Sequence, residues 1–325
     1  MSITITGGIT FGSIGGVSII APPSVATAGW FAGGASAPGQ TSTVQRITFA
    51  TDTATASVRG PLSSANSYRA GGAGNLNYGW YGGGSNSSLP APSRAISSVD
   101  RITYATDTAT ATARGSLSSS RYFLAATGNQ NYGWFGPGLT TLADSSIVNR
   151  ITYATDTATA SSRGKLVTQR SQYSATGNDN YGYFAGGSSI PGSIISSIDR
   201  IDYANDTAIA TATGPLSSNR NAIGATSDST YGWFAGGYLS PNPLSTVDRI
   251  TFANDTATAT VRGPLNAVRQ GPQGVGDNVY GWFATDNSYT LTVSRITYAT
   301  DTATATARGP LSVGSRMVAS TSGLQ

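Results

Sequence analysis

Short runs in which apolar and polar residues alternate recur along the chain, each closed by glycine, proline or aspartate. In Val44-Gln-Arg-Ile-Thr-Phe-Ala50, Val44, Arg46, Thr48 and Ala50 share one face while Ile47 and Phe49 share the other, the period of a β-strand. Thr51-Asp52 is placed for a chain reversal, and Thr53-Ala-Thr-Ala-Ser-Val58 resumes strict alternation, so the two runs predict a hairpin. Upstream, Ala28-Gly-Trp-Phe-Ala-Gly-Gly34 is an aromatic strand closed by a diglycine turn. Downstream, Arg59-Gly-Pro-Leu62 is a turn, and a polar link leads to a fourth short strand, clearest in Tyr122-Phe-Leu-Ala-Ala-Thr127 and Ala222-Ile-Gly-Ala-Thr226.

This four-strand phrase occurs six times, with its first glycine at 29, 79, 133, 182, 232 and 281. A four-stranded repeat of about fifty residues predicts a propeller blade. The fold class is therefore all-β: a six-bladed β-propeller of four-stranded antiparallel blades. The chain enters at the aromatic strand, yet its last repeat runs on into Arg316-Met-Val-Ala-Ser-Thr-Ser-Gly323. Residues 316–323 are thus expected to complete the blade formed by 28–60, closing the ring and covering both sheet edges. The domain spans 25–325. Residues 1–24 form a separate uncharged arm in which Ile3, Ile5, Ile9 and Phe11 alternate with small or polar residues, suiting strand addition to a partner.

Several residues resemble the kelch family: the diglycines Gly33-Gly34, Gly83-Gly84, Gly186-Gly187 and Gly236-Gly237, the aromatics Phe49, Tyr104, Tyr153, Tyr203, Phe252 and Tyr298, and the Gly-Pro-Leu turn with a following arginine. The pattern departs from that family where its later Trp is replaced by small or β-branched residues, and at Thr285-Asp286, which stands where the diglycine is expected.

Composition narrows the chemistry. The chain of 325 residues has no Cys and no His, which removes disulfides, thiolate nucleophiles and the common zinc and copper ligands. Every acidic residue is Asp, and Lys165 is the only lysine beside eighteen arginines. The net charge of +4 is spread over repeat positions, so no basic run suggests nucleic acid. No segment is long and apolar enough for a membrane-spanning helix. No cofactor is expected, and a paired-carboxylate active site does not stand out, so the chain reads as non-enzymatic.

Residues present in every repeat most economically do the same packing task six times. Trp30, Trp80, Trp134, Trp233 and Trp282, with Tyr183 in the fourth copy, are expected to pack blade on blade rather than stack on sugars. The arginines at 46, 101, 150, 200, 249 and 295 are expected to hydrogen-bond between blades. Asp52, Asp107, Asp156, Asp206, Asp255 and Asp301 are expected to cap their own turns.

The segments that differ between copies are 35–43, 85–98, 139–146, 188–197, 238–246 and 287–292, which should emerge on one side of the disc. Loops of varied length on a rigid scaffold are where recognition usually sits. Candidate binding residues there are Arg94, Tyr238, Asn242, Asn287 and Tyr289, the two tyrosines as exposed aromatics. The Gly/Ser/Thr-rich, Lys-poor composition and the strand-like arm resemble structural proteins of tailed-phage virions. That resemblance implies a virion location, other virion proteins as partners of the arm, a host surface glycan as a partner of the loops, and an oligomer in assembly. The alternative is an extracellular, lectin-like or adhesive propeller from a bacterium; a kelch-type interaction hub is a third reading.

Overall fold

The computed structural model describes residues 26–37, 39–65, 70–89, 94–140, 145–189 and 192–322; the arm residues Ile3, Ile5, Ile9 and Phe11 lie outside them. Six four-stranded antiparallel sheets form the blades of a propeller. The second blade runs from an inner strand, Gly71–Gly74, through Tyr78–Gly82 and Val99–Thr103 to an outer strand, Thr112–Arg114. The first blade borrows its inner strand from the other end of the chain: Ala319–Ser322 pairs with Ala28–Ala32, with Gly29 opposite Ser322 and Ala32 opposite Ala319. A further bridge joins Ala35 to Arg316 by reciprocal hydrogen bonds of 2.9 Å. The expected closure is therefore present, and each inner strand touches the inner strands of both neighbouring blades.

The strands form because Val, Ile, Thr and aromatic residues suit a pleated surface whose two faces are covered by neighbouring blades. The aromatic strands are buried on both faces, and the apolar core is divided into clusters that straddle blade interfaces. Inner strands are built mainly from Gly, Ala, Ser and Thr, with Gln273 and Val275 in the sixth blade, which lets six of them converge on a narrow axial cavity of about 40 Å³. That is room for only a few waters, and the residues lining it carry no charge.

Two expectations need correction. The strand at Val44 ends at Thr48, and Phe49–Thr51 forms one turn of 3₁₀-helix; the same turn recurs at Tyr104, Tyr153, Tyr203, Phe252 and Tyr298. The turn swings each aromatic ring out of its own sheet and onto the Trp or Tyr of the preceding blade. The outer strand, in turn, covers only Ser57–Arg59 rather than starting at Thr53. Thr53 to Ala56 is instead bonded to the preceding blade: Gly309 N–H donates to Asp52 O at 2.8 Å, and Ala56 N–H to Pro310 O at 2.8 Å. The Thr/Ala alternation here does not divide two faces: Thr53, Ala54 and Thr55 are all exposed, and only Ala56 is buried, at the blade-to-blade contact.

Antiparallel order gives the disc two distinct faces. The links from second to third strand and from outer strand to the next blade share one face, here the link face. The 3₁₀ turns and the short turns after the inner strands share the other, the turn face.

Candidate functional site

On the turn face, each described turn aspartate is an acceptor for the preceding blade. Asp107 Oδ2 takes the indole N–H of Trp30 at 2.9 Å and Arg46 Nη1–H at 2.9 Å, with Arg59 Nε at 3.5 Å. The arrangement recurs at Asp156, Asp206, Asp301 and Asp52 with Trp80, Trp134, Trp233 and Trp282. At Asp255 the donor is the Tyr183 hydroxyl at 3.0 Å, and Arg200 approaches to 2.7 Å. The assignment of these aspartates to capping their own turns is thus corrected: the carboxylate is turned outward because a buried Trp N–H and a guanidinium of the neighbouring blade offer charge-assisted bonds. The same contact accounts for Gly60, where a Cβ would stand 2.0 Å from Ala109 O of the next blade.

The aromatic stack completes this interface. Trp30 lies on Tyr104, Trp80 on Tyr153, Trp134 on Tyr203, Trp233 on Tyr298 and Trp282 on Phe49, with centroids 3.7–4.0 Å apart. Blade-on-blade packing of the tryptophans is what the repeated positions predicted. Tyr104, Tyr203 and Tyr298 reach hydroxyls of Thr321, Thr127 and Thr226 on inner strands at 2.9–3.0 Å. Burial holds these phenols neutral, pushing them well above the usual tyrosine range.

The link face is organised by a second arginine series that sequence reasoning had treated only as part of the repeat. Arg121, Arg170, Arg220 and Arg269 are almost completely buried. Arg170 Nη1 donates to Gly186 O at 3.2 Å and to Ser197 O at 2.9 Å, so one guanidinium grips both ends of the link 188–197. Arg121 likewise grips Gly136 O and Ile147 O at 3.2 and 2.7 Å. Arg170 and Arg220 have carboxylate partners, Asp199 at 2.9 Å and Asp248 at 3.1 Å. Arg269 faces Ser294 instead, and Asp286 supplies the nearby negative charge. Before the first blade the position is held by Ser315, five residues past Pro310, and Gln45 takes the aspartate's place, bonded to Val313 and Ser312. The legible signal is an arginine four residues after the Leu of the Gly-x-Leu turn in four of the six copies, at Leu117, Leu166, Leu216 and Leu265.

The variable links lie on this one face, as expected. Three of them carry two-residue hairpins: Ala35–Ser36 with Gly39–Gln40, Ser188–Ser189 with Ser193–Ile194, and Tyr238–Leu239 with Asn242–Pro243. Arg94 is exposed in the second blade. Asn242 is exposed at the tip of the fifth blade's hairpin. Asn287 is half-buried in the sixth, its N–H bonded to Gln270 O at 2.9 Å and its Oδ1 buried without a partner.

The two tyrosines are not the exposed platforms expected. Tyr238 is half-buried, with its backbone paired to that of Asn221. Tyr289 is half-buried because Arg316 covers its ring at 5.0 Å. The fifth- and sixth-blade candidates sit on adjacent blades, while Arg94 is three blades away from Tyr238. The structure therefore does not gather the five residues into one site.

Two non-glycine residues with left-handed backbone mark the sixth link, Thr285 and Tyr289 with φ +68° and +59°. Thr285 takes the conformation of glycine at Gly236, with φ +65°. A β-branched residue there is costly, and its buried Oγ1 has no hydrogen-bond partner. Asp286 offsets the disruption by accepting from Ser288 N, Thr290 N and Thr290 Oγ1 at 2.7, 3.2 and 2.8 Å.

Among the described residues, no three carboxylates cluster as metal ligands, and no helix is long and apolar enough to cross a membrane. No protein-family model and no curated protein matches the chain. The observed architecture is a six-bladed β-propeller, a fold suited to binding or structural roles.

Proposed function

We propose that the protein is a non-enzymatic structural and recognition component of a tailed-phage virion, docked through its N-terminal arm and presenting its variable links outward to a host glycan or another virion protein. One observation carries this reading: the residues repeated from blade to blade are spent on holding blades together, whereas the segments that differ are gathered on one face, two of them fastened at both ends by the buried Arg121 and Arg170. A rigid frame with interchangeable links is what a recognition part needs, because ordering costs are met by the scaffold before any partner arrives. The composition and the uncharged arm supply the link to virion proteins.

Deletion of residues 1–24 tests the docking role. The shortened protein should fold with an unchanged melting temperature and fail to incorporate into particles; normal incorporation overturns the reading. A glycan array with measured stoichiometry separates the alternative of an extracellular, lectin-like propeller. Several equivalent bound saccharides per chain would favour the lectin.

A further inference from the structure

In five blades, the tyrosine that opens the second strand lies under the guanidinium of the third-strand arginine. Arg101, Arg150, Arg200, Arg249 and Arg295 stand 4.1–4.7 Å from the ring centroids of Tyr78, Tyr132, Tyr181, Tyr231 and Tyr280. The same tyrosines at 78, 132, 231 and 280 also meet the tryptophan two residues on, at 5.6–5.7 Å and a steep angle. In the first blade the position is Ala28. Its backbone is undisturbed: Ala28 pairs with Thr48 as Tyr78 pairs with Thr103, and Phe49 N–H donates to Thr27 O as Tyr104 N–H donates to Asn77 O. Only the ring is missing.

Ala28 lines a hollow of about 350 Å³ at the junction of the first and second blades, walled by Trp30, Arg46, Thr48 and Tyr104. Volume alone does not distinguish it, since a hollow of about 340 Å³ lies beside Trp80 and Tyr153 with Tyr78 and Tyr132 on its walls. What distinguishes it is an uncovered cation. The Arg46 side chain has no tyrosine ring over it, because Ala28 stands in that place; it is 26% exposed, against 17–20% for Arg101, Arg150, Arg249 and Arg295 and 28% for Arg200, whose blade has Tyr183 in place of the tryptophan. Trp30 is also the one buried tryptophan with residual exposure, 4% against none for Trp80, Trp134, Trp233 and Trp282.

We propose that this hollow is a binding site for a single phenol-type aromatic ring carried by another molecule, which takes the place that tyrosine fills in the other blades. The ring's negative face meets the Arg46 guanidinium, whose Nη1 is already fixed by Asp107, and its edge meets Trp30. A cation held in place beforehand loses little freedom when the ring arrives. The site lies on the turn face, away from the variable links, and stands independently of the virion reading.

The test uses p-cresol, the isolated side chain of tyrosine, titrated into the full chain and followed by nitrogen–proton NMR at the Trp30 indole and Arg46 Nε. Saturable shifts at both, with a dissociation constant on the order of millimolar for so small a ligand, are expected. Ala28→Tyr should abolish them by filling the hollow, and Tyr231→Ala should open a second site reported by the Trp233 indole. N-acetyltyrosinamide distinguishes the source: its binding supports a polypeptide side chain, and binding of p-cresol alone supports a free phenol. The proposal fails if Trp30 does not respond while Tyr231→Ala confers a response at Trp233. It fails equally if Ala28→Tyr leaves the Trp30 shifts intact, or if binding appears only after residues 1–24 are removed.

Discussion

The hydroxyl of Tyr183 donates to Asp255 at 3.0 Å, from the place where an indole N–H meets the turn aspartate in the other five blades. The stack against Phe252 is looser than its counterparts, at 5.0 Å and 18°. One hydroxyl thus preserves the polar half of the interface after its apolar half has shrunk. Tyr183→Phe should leave Asp255 bound only to Arg200 and cost about 1–2 kcal/mol. Tyr183→Trp should restore both halves and leave the protein at least as stable as the parent. Denaturant unfolding of the two variants checks this, and a Tyr183→Phe variant as stable as the parent would show that the bond contributes nothing.

A second contrast concerns Tyr153, whose buried hydroxyl has no partner because Ala73 stands where Thr321, Thr127 and Thr226 stand elsewhere. A buried unsatisfied hydroxyl costs about 1–3 kcal/mol. Tyr153→Phe should therefore stabilise the protein, whereas Tyr203→Phe, which strands Thr127, should destabilise it. Opposite signs in thermal midpoint are the expected result, and equal signs would refute the pairing argument.

The blades, their strand order and the closing strand could be read from the chain because each depends on short-range alternation and on the phase of the repeat. Residues such as Trp30 were assigned to packing correctly, since only a task shared by every blade accounts for them. The aspartate hub was not legible: Asp107 meets Arg46 across 61 residues, and nothing local separates that role from capping its own turn. The Thr/Ala runs misled for a related reason, because a strand paired within its sheet and a segment bonded to the preceding blade carry the same alternation in sequence. Tyr289 could not be placed without the tertiary fold, since its cover, Arg316, comes from the following link.

Closure by Ala319–Ser322 makes a third expectation direct. Ending the chain at Gly314 would remove the inner strand of the first blade and uncover the edges of Ala28–Ala32 and of the ring itself. The truncated protein should lose cooperative unfolding and expose Trp30 to quenchers. Retention of the full transition would mean that the other five inner strands close the ring unaided.

Alkaline titration offers a fourth measurement. Burial raises the Tyr104, Tyr153, Tyr203 and Tyr298 phenols above their ordinary value, while in the unfolded chain they ionise near pH 10. The unfolded state therefore releases protons first, so the stability they confer is complete below about pH 10 and falls as pH rises further. With a single lysine in the chain, tyrosines dominate that limb. The thermal midpoint should be flat from pH 7 to 9 and fall steeply beyond 10, and replacing Tyr153 by Phe should make the fall shallower.

The last expectation comes from the buried guanidinium of Arg121. Arg170 and Arg220 face Asp199 and Asp248, and Arg269 has Asp286 nearby, but Arg121 faces the neutral Asn149. Burial lowers the pKa of all four guanidiniums, and only at Arg121 does no carboxylate oppose it. Asn149 adds a cost of its own, because its Oδ1 accepts from Ser118 N and Oγ at 2.8 and 3.0 Å while its buried Nδ2 has no partner. Asn149→Asp removes the orphaned donor, keeps the acceptor for Ser118 and supplies the missing carboxylate in one change. It should raise stability at neutral pH by about 1–3 kcal/mol. The reciprocal change, Asp199→Asn, should cost about 3–5 kcal/mol by leaving Arg170 buried and unpaired. Both are read from urea unfolding at pH 7, and a destabilised Asn149→Asp protein would show that the site holds the guanidinium adequately with carbonyl oxygens alone.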